Sequence, residues 1–134
     1  MAAAAVAFHT LIVEDDFSSA DVLAAALDRR GFEHETAYSV GAALLRLEED
    51  WPQAVILDLR LPDADGTVLL RRIRRENRPT RVAVVTGVSD LSHHVGLMQF
   101  PPDLLLRKPV DLTKLVRWLE RTREEYERGG PPPF

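Results

Sequence analysis

The sequence predicts an α/β domain of the (βα)5 kind, a doubly wound parallel five-stranded sheet with strand order 2-1-3-4-5. Three observations carry that expectation. Short apolar runs rich in Val, Ile and Leu recur along the chain, as strands covered on both faces do. Segments with the i, i+3, i+4 spacing of a one-faced helix alternate with them. At 134 residues and 46% hydrophobic content the chain can bury one core, and a second, separately folded output domain would not fit.

The elements follow in order. "TLIV" (10–13) is the first strand, and Val22, Leu23, Ala26 and Leu27 form the inner face of the first helix, stopped by Gly31 as its C′ residue. "FEHETAY" (32–38) is the second strand, far more polar than the others, which suits a sheet edge where one side meets water. Ser39 caps a helix carried by Val40, Ala43, Leu44 and Leu47, and "AVILDL" (54–59) is the third strand. Gly66 opens the third helix, with Leu69, Leu70 and Ile73 inward, before the fourth strand "RVAVVT" (81–86). A short fourth helix has to come from "SDLSHHVGLMQF" (89–100), interrupted by Gly96 and followed by Pro101 and Pro102. "DLLLR" (103–107) is the fifth strand, and Asp111 caps a last helix on Leu112, Leu115, Val116 and Leu119. We therefore divide the chain into an N-terminal extension (1–8), one domain (9–127) and a flexible tail (128–134).

Charge and composition remove several functions. Lys plus Arg is 17 and Asp plus Glu is 21, a net charge of -4 that disfavours direct nucleic-acid binding. No cysteine is present, which excludes thiol catalysis and zinc–thiolate sites and is compatible with a reducing cytosol. "MAAAAVAF" lacks a basic n-region and is too short to span a membrane, so a cytoplasmic protein is expected.

In such a sheet, ligands bind beyond the carboxyl ends of the strands where strand order reverses, between strands 1 and 3. Strand 1 runs into Glu14, Asp15 and Asp16, and strand 3 delivers Asp58. Converging carboxylates need a proton or a cation to neutralise them, and an oxygen-only donor set favours a hard ion such as Mg2+, above all where a phosphate completes its shell. Strand 4 ends on Thr86, and strand 5 leads to Lys108 and Pro109. Acids, a metal, a hydroxyl and a lysine on one rim describe a phosphoryl-transfer site.

The acidic pair, "LDLRLPDADG", "VVTG" and "RKP", in this order and at these intervals, resemble the receiver domain of two-component response regulators, from about Thr10 to about Tyr126. The resemblance implies a flavodoxin-like fold and a module that catalyses only its own Mg2+-dependent phosphorylation and dephosphorylation, not an enzyme with an external substrate. It makes Asp58 the phospho-acceptor. Asp15 and Asp58 become direct metal ligands, with Glu14 acting through a water and Arg60 through its backbone carbonyl. Thr86 and Lys108 meet the phosphoryl group, and Pro109 follows a cis peptide bond. Asp16 matches no direct metal role and is assigned to capping the first helix. The implied partners are a histidine kinase or histidine phosphotransfer protein and an unknown downstream protein, with a weak homodimer also allowed, but neither nucleic acid nor membrane. Three further positions bear on lifetime and output. Arg60 and Val88 flank the path of the hydrolytic water without a group to orient it, so an acyl phosphate outlasting minutes is expected. Leu105 stands where an aromatic switch residue is usual, so phosphorylation should alter that face only modestly, through residues 87–91 and the short fourth helix.

Other readings are plainer. Asp63 and Asp65 read as turn residues, the arginines from Arg71 to Arg81 as a solvated helix face, and Trp118 and Tyr126 as packing. His93 and His94 have no companions at ligand spacing. The alternative function is a pseudo-receiver, a phosphorylation-independent binding module. A dinucleotide enzyme is excluded because no G-x-G-x-x-G follows strand 1.

Overall fold

A computed structural model describes residues 7–87, 97 and 99–129. Along the chain run β1 (His9–Val13), α1 (Phe17–Asp28), β2 (Glu33–Ala37), α2 (Val40–Glu49), β3 (Ala54–Asp58), α3 (Thr67–Arg75), β4 (Arg81–Thr86), β5 (Leu104–Arg107) and α4 (Leu112–Glu127). The five strands are parallel, in the order β2-β1-β3-β4-β5, a flavodoxin-like sheet as expected. Most of the helix expected within 89–100 lies outside the described residues, as do Val88, His93 and His94.

Strand alternation sorts the apolar residues into two layers. Ile12, Ile56 and Leu106 face α1 and α4, where Leu27, Leu115 and Leu119 meet them. Leu11, Leu57 and Val84 face α2 and α3, against Leu47, Leu70 and Ile73. The central strand β3 is buried at all five positions, and each such Leu or Ile stabilises the fold by about 1.5–3 kcal/mol.

The helix ends follow their capping chemistry. Asp16 accepts the Ser19 N–H at 3.1 Å and the Ser19 hydroxyl at 2.6 Å. Ser39 Oγ accepts from Ala42 N–H at 3.0 Å, and Asp111 accepts from Lys114 N–H at 3.1 Å. Gly31 turns the chain at φ 73°, which lets the Phe32 N–H donate back to the Leu27 carbonyl at 3.1 Å.

Three details differ from the sequence reading. β5, at a sheet edge as the expected order implies, is not covered on both faces, since Leu105 is 50% exposed. Arg74 and Arg81 are not simply solvated, since both bind Asp103, at 2.9 and 3.4 Å. Phe8, counted above with the extension, is buried against Phe32 and Tyr126. Trp118 and Tyr126 pack as expected.

Candidate functional site

Register and alternation build the site. Val13 of β1 pairs with Leu57 of β3, so the next residues, Glu14 and Asp58, stand side by side at the strand ends. Both continue the alternation of Ile12 and Ile56, and Lys108 continues that of Leu106, so all three emerge on the α1 and α4 side. Asp15 follows at the turn into α1, and carboxylate oxygens of Glu14, Asp15 and Asp58 lie within 4.8 Å of one another. Thr86 ends β4 one residue beyond Val85, the register partner of Asp58, and its carbonyl accepts the Lys108 N–H at 2.9 Å. The Lys108–Pro109 bond is cis.

Asp58 is 4% exposed yet well supplied with donors. Lys108 Nζ donates to Oδ2 at 2.7 Å, and the Arg60 N–H donates to Oδ1 at 2.9 Å. Lys108 also stands 3.8 Å from Glu14 Oε1. Glu14 is equally buried, and its pKa is pushed up to about 8, first by desolvation and then by the hydrogen bond and negative charge of Asp58. Lys108 moves the other way relative to burial: desolvation would lower its pKa, but Asp58, Glu14 and Asp15 together raise it. Burial and the neighbouring Asp58 thus favour a proton on Glu14, while the surrounding acids favour the charged lysine. An all-oxygen donor set with two buried acids, one of which favours a proton, fits a hard divalent cation that would displace that proton.

The loop after β3 packs closely on the acceptor's backbone. Gly66 N–H donates to the Leu59 carbonyl at 2.9 Å, and a Cβ on Gly66 would lie 2.7 Å from the Asp58 carbonyl oxygen, so only glycine fits there. Asp63, read from sequence as a turn residue, instead reaches α2 and accepts from Val40 N–H and Gly41 N–H, each at 2.9 Å. No local spacing signals this contact, because its partners lie 22 and 23 residues away. Between α1 and the segment after β5 a cavity of about 370 Å³ opens beside Asp58 and Lys108, walled by Ser19, Val22, Leu23 and Val110.

The profile of the response regulator receiver domain matches residues 10–120. The chain belongs to that family. It is 32% identical over 122 residues to the acid tolerance regulatory protein ActR of Rhizobium meliloti (strain 1021), covering 91% of this chain and 62% of that protein. It is 29% identical to the photosynthetic apparatus regulatory protein RegA of Rhodobacter capsulatus, over 92% of this chain and 65% of the relative. The chain thus spans less than two thirds of the length of either. Among solved structures, a CheY-like response regulator receiver domain protein from Methanospirillum hungatei JF-1 superposes with a TM-score of 0.83 at 28% identity, over 93% of this receiver and all of that chain. The receiver is thus a domain of two-component signalling. No described helix is long and apolar enough to cross a membrane.

Proposed function

We propose that this receiver accepts a phosphoryl group on Asp58 from a histidine kinase or histidine phosphotransfer protein and passes the change on through protein contacts. The observation that carries the reading is a nearly buried carboxylate at a strand end, held between an ammonium at 2.7 Å and a backbone N–H at 2.9 Å, with two further acids beside it. An Asp58 oxygen attacks phosphorus, a P–O bond forms, and the P–N bond to the donor imidazole breaks, with its electron pair leaving on the ring. Lys108 keeps the attacking carboxylate oriented and offsets charge that gathers on the phosphoryl oxygens. Thr86 would donate its hydroxyl to one of those oxygens. Glu14, Asp15, Asp58 and the Arg60 carbonyl would hold Mg2+, which when bound supplies charge neutralisation between carboxylates and phosphoryl group.

The donor protein would approach over the rim of α1. Phe17 is 67% exposed and stacks edge-on with Tyr38, and Val22 is also exposed, an apolar border next to the acceptor. The chain turns over no external substrate on this reading, and it works in the cytoplasm, where its cysteine-free composition is at home.

Mass spectrometry after incubation with acetyl phosphate and Mg2+ tests the proposal. One phosphoryl group should be gained by the wild type, and none by Asp58→Asn or in EDTA. Labelling of Asp58→Asn at the wild-type level would overturn it, and no labelling of any form would leave the phosphorylation-independent binding module.

A further inference from the structure

The loop from Leu59 to Gly66 carries Arg60, whose N–H meets the acceptor. Its ends are fixed locally, by the Arg60–Asp65 bridge and the bond from Gly66 N–H to the Leu59 carbonyl. Its tip is fixed by Asp63 alone among the bonds described above, and the anchor is a different element. Oδ1 takes the Val40 N–H and Oδ2 the Gly41 N–H, so one carboxylate forks over the first two residues of α2. A Cβ at position 41 would lie 3.4 Å from Oδ2, an ordinary contact, so the fork does not depend on glycine there. The helix has a cap of its own in Ser39, which serves Ala42. The contact therefore does more for the loop than for the helix: it ties the acceptor's own loop to α2. The two N–H groups hold the Asp63 carboxyl below the usual carboxylate range, first through Gly41 and then Val40, so the fork is charged at neutral pH.

We infer that Asp63 is a positioning residue, which pins the loop bearing Arg60 to the start of α2 and thereby sets how tightly the acidic cluster holds Mg2+. The inference rests on the reading of Glu14, Asp15, Asp58 and the Arg60 carbonyl as that ion's ligands. A loop released at its tip must be ordered again when the ion binds, so the ordering cost moves into the binding equilibrium.

The test is Mg2+ titration of the full chain, followed by amide chemical shifts, for wild type, Asp63→Ala, Asp63→Asn and Ser39→Ala. Ser39→Ala removes a cap from the same helix end but leaves the loop tied. Asp63→Ala should weaken Mg2+ about tenfold, the low end of what loss of an outer partner does to a metal site, while Ser39→Ala should shift it by less than about twofold. Asp63→Asn keeps one acceptor oxygen and should fall between, and it stands in should the alanine variant fail to fold. Wild-type affinity in the folded Asp63 variants, or equal weakening by Ser39→Ala, would overturn the inference alone. Failure of the wild type to bind Mg2+ would overturn the ligand reading and this inference with it.

Discussion

Two charged clusters sit at opposite ends of the same sheet, and they are built on different principles. At the starts of β4 and β5, Asp103 receives Arg74 at 2.9 Å, Arg81 at 3.4 Å and the Val82 N–H at 2.7 Å, and Arg81 also reaches Glu125. Arg74 spends its other donors on the carbonyls of Thr80 and Pro101. Two guanidinium groups face two carboxylates. At the far ends of β1, β3 and β5, three carboxylates face one ammonium. The balanced cluster is complete as it stands and works as a clamp between α3, β4 and β5. In the unbalanced one, burial and the charge of Asp58 favour a proton on Glu14, and a cation would relieve the same excess of negative charge.

Breaking the balanced cluster should have the largest effect on stability. Asp103→Ala leaves two arginines and a backbone N–H without their acceptor, and we expect a loss of about 2–3 kcal/mol in urea denaturation, discounted because the group is partly solvated. Mg2+ binding by the folded fraction should be unchanged; if it weakens as stability falls, the two ends are not separate. Next comes Gly66→Ala, whose Cβ would meet the Asp58 carbonyl at 2.7 Å and Leu59 Cα at 2.8 Å. A backbone shift costing about 1–3 kcal/mol is expected, and here phosphorylation should slow as well, because the displaced chain carries the acceptor.

Glu14 sharpens the comparison through pH. Its folded pKa of about 8 lies above its ordinary 4.5, so the protonated acid adds stability that is complete below 4.5 and is lost as pH rises through about 8. The metal-free protein should thus become easier to unfold across that window. Glu14→Gln should flatten the profile and stabilise the metal-free protein at the alkaline end by on the order of 1–3 kcal/mol. A wild-type profile that is already flat would contradict the assignment. The smallest effect belongs to an exposed pair. Arg72→Ala removes its 2.9 Å bond to Glu76 and should change stability by less than about 0.5 kcal/mol, so a larger loss would mean that the α3 surface is more than solvated.

Much of this was legible in the sequence because it is local. Strand identity follows from runs such as "RVAVVT", which is a strand over the same six residues, and the caps at Asp16, Ser39 and Asp111 follow from side chains acting within one turn. Glu14, Asp58 and Lys108 fall together because strand ends in a parallel sheet share a rim, a consequence of topology that the strand–helix alternation implies. What could not be read is what depends on distant partners. Asp63 looks like any turn aspartate until α2 is seen beside it, and Arg74 looks like any surface arginine until β5 brings Asp103 within reach. The apolar run "DLLLR" reads as a strand buried on both faces, but composition does not say which face a neighbouring helix leaves open, and Leu105 lies on the open side.

The central claim is that the unbalanced cluster exchanges a proton for a divalent cation, and calorimetric Mg2+ titration in two buffers of different ionisation heat tests it most directly. We predict that binding near pH 7 releases close to one proton, that affinity rises as pH passes through about 8, and that the release fades above it. Mg2+ binding with no proton release and a pH-independent affinity would show that Glu14 is already ionised without the metal, and no binding at any pH would show that the three carboxylates are not a cation site.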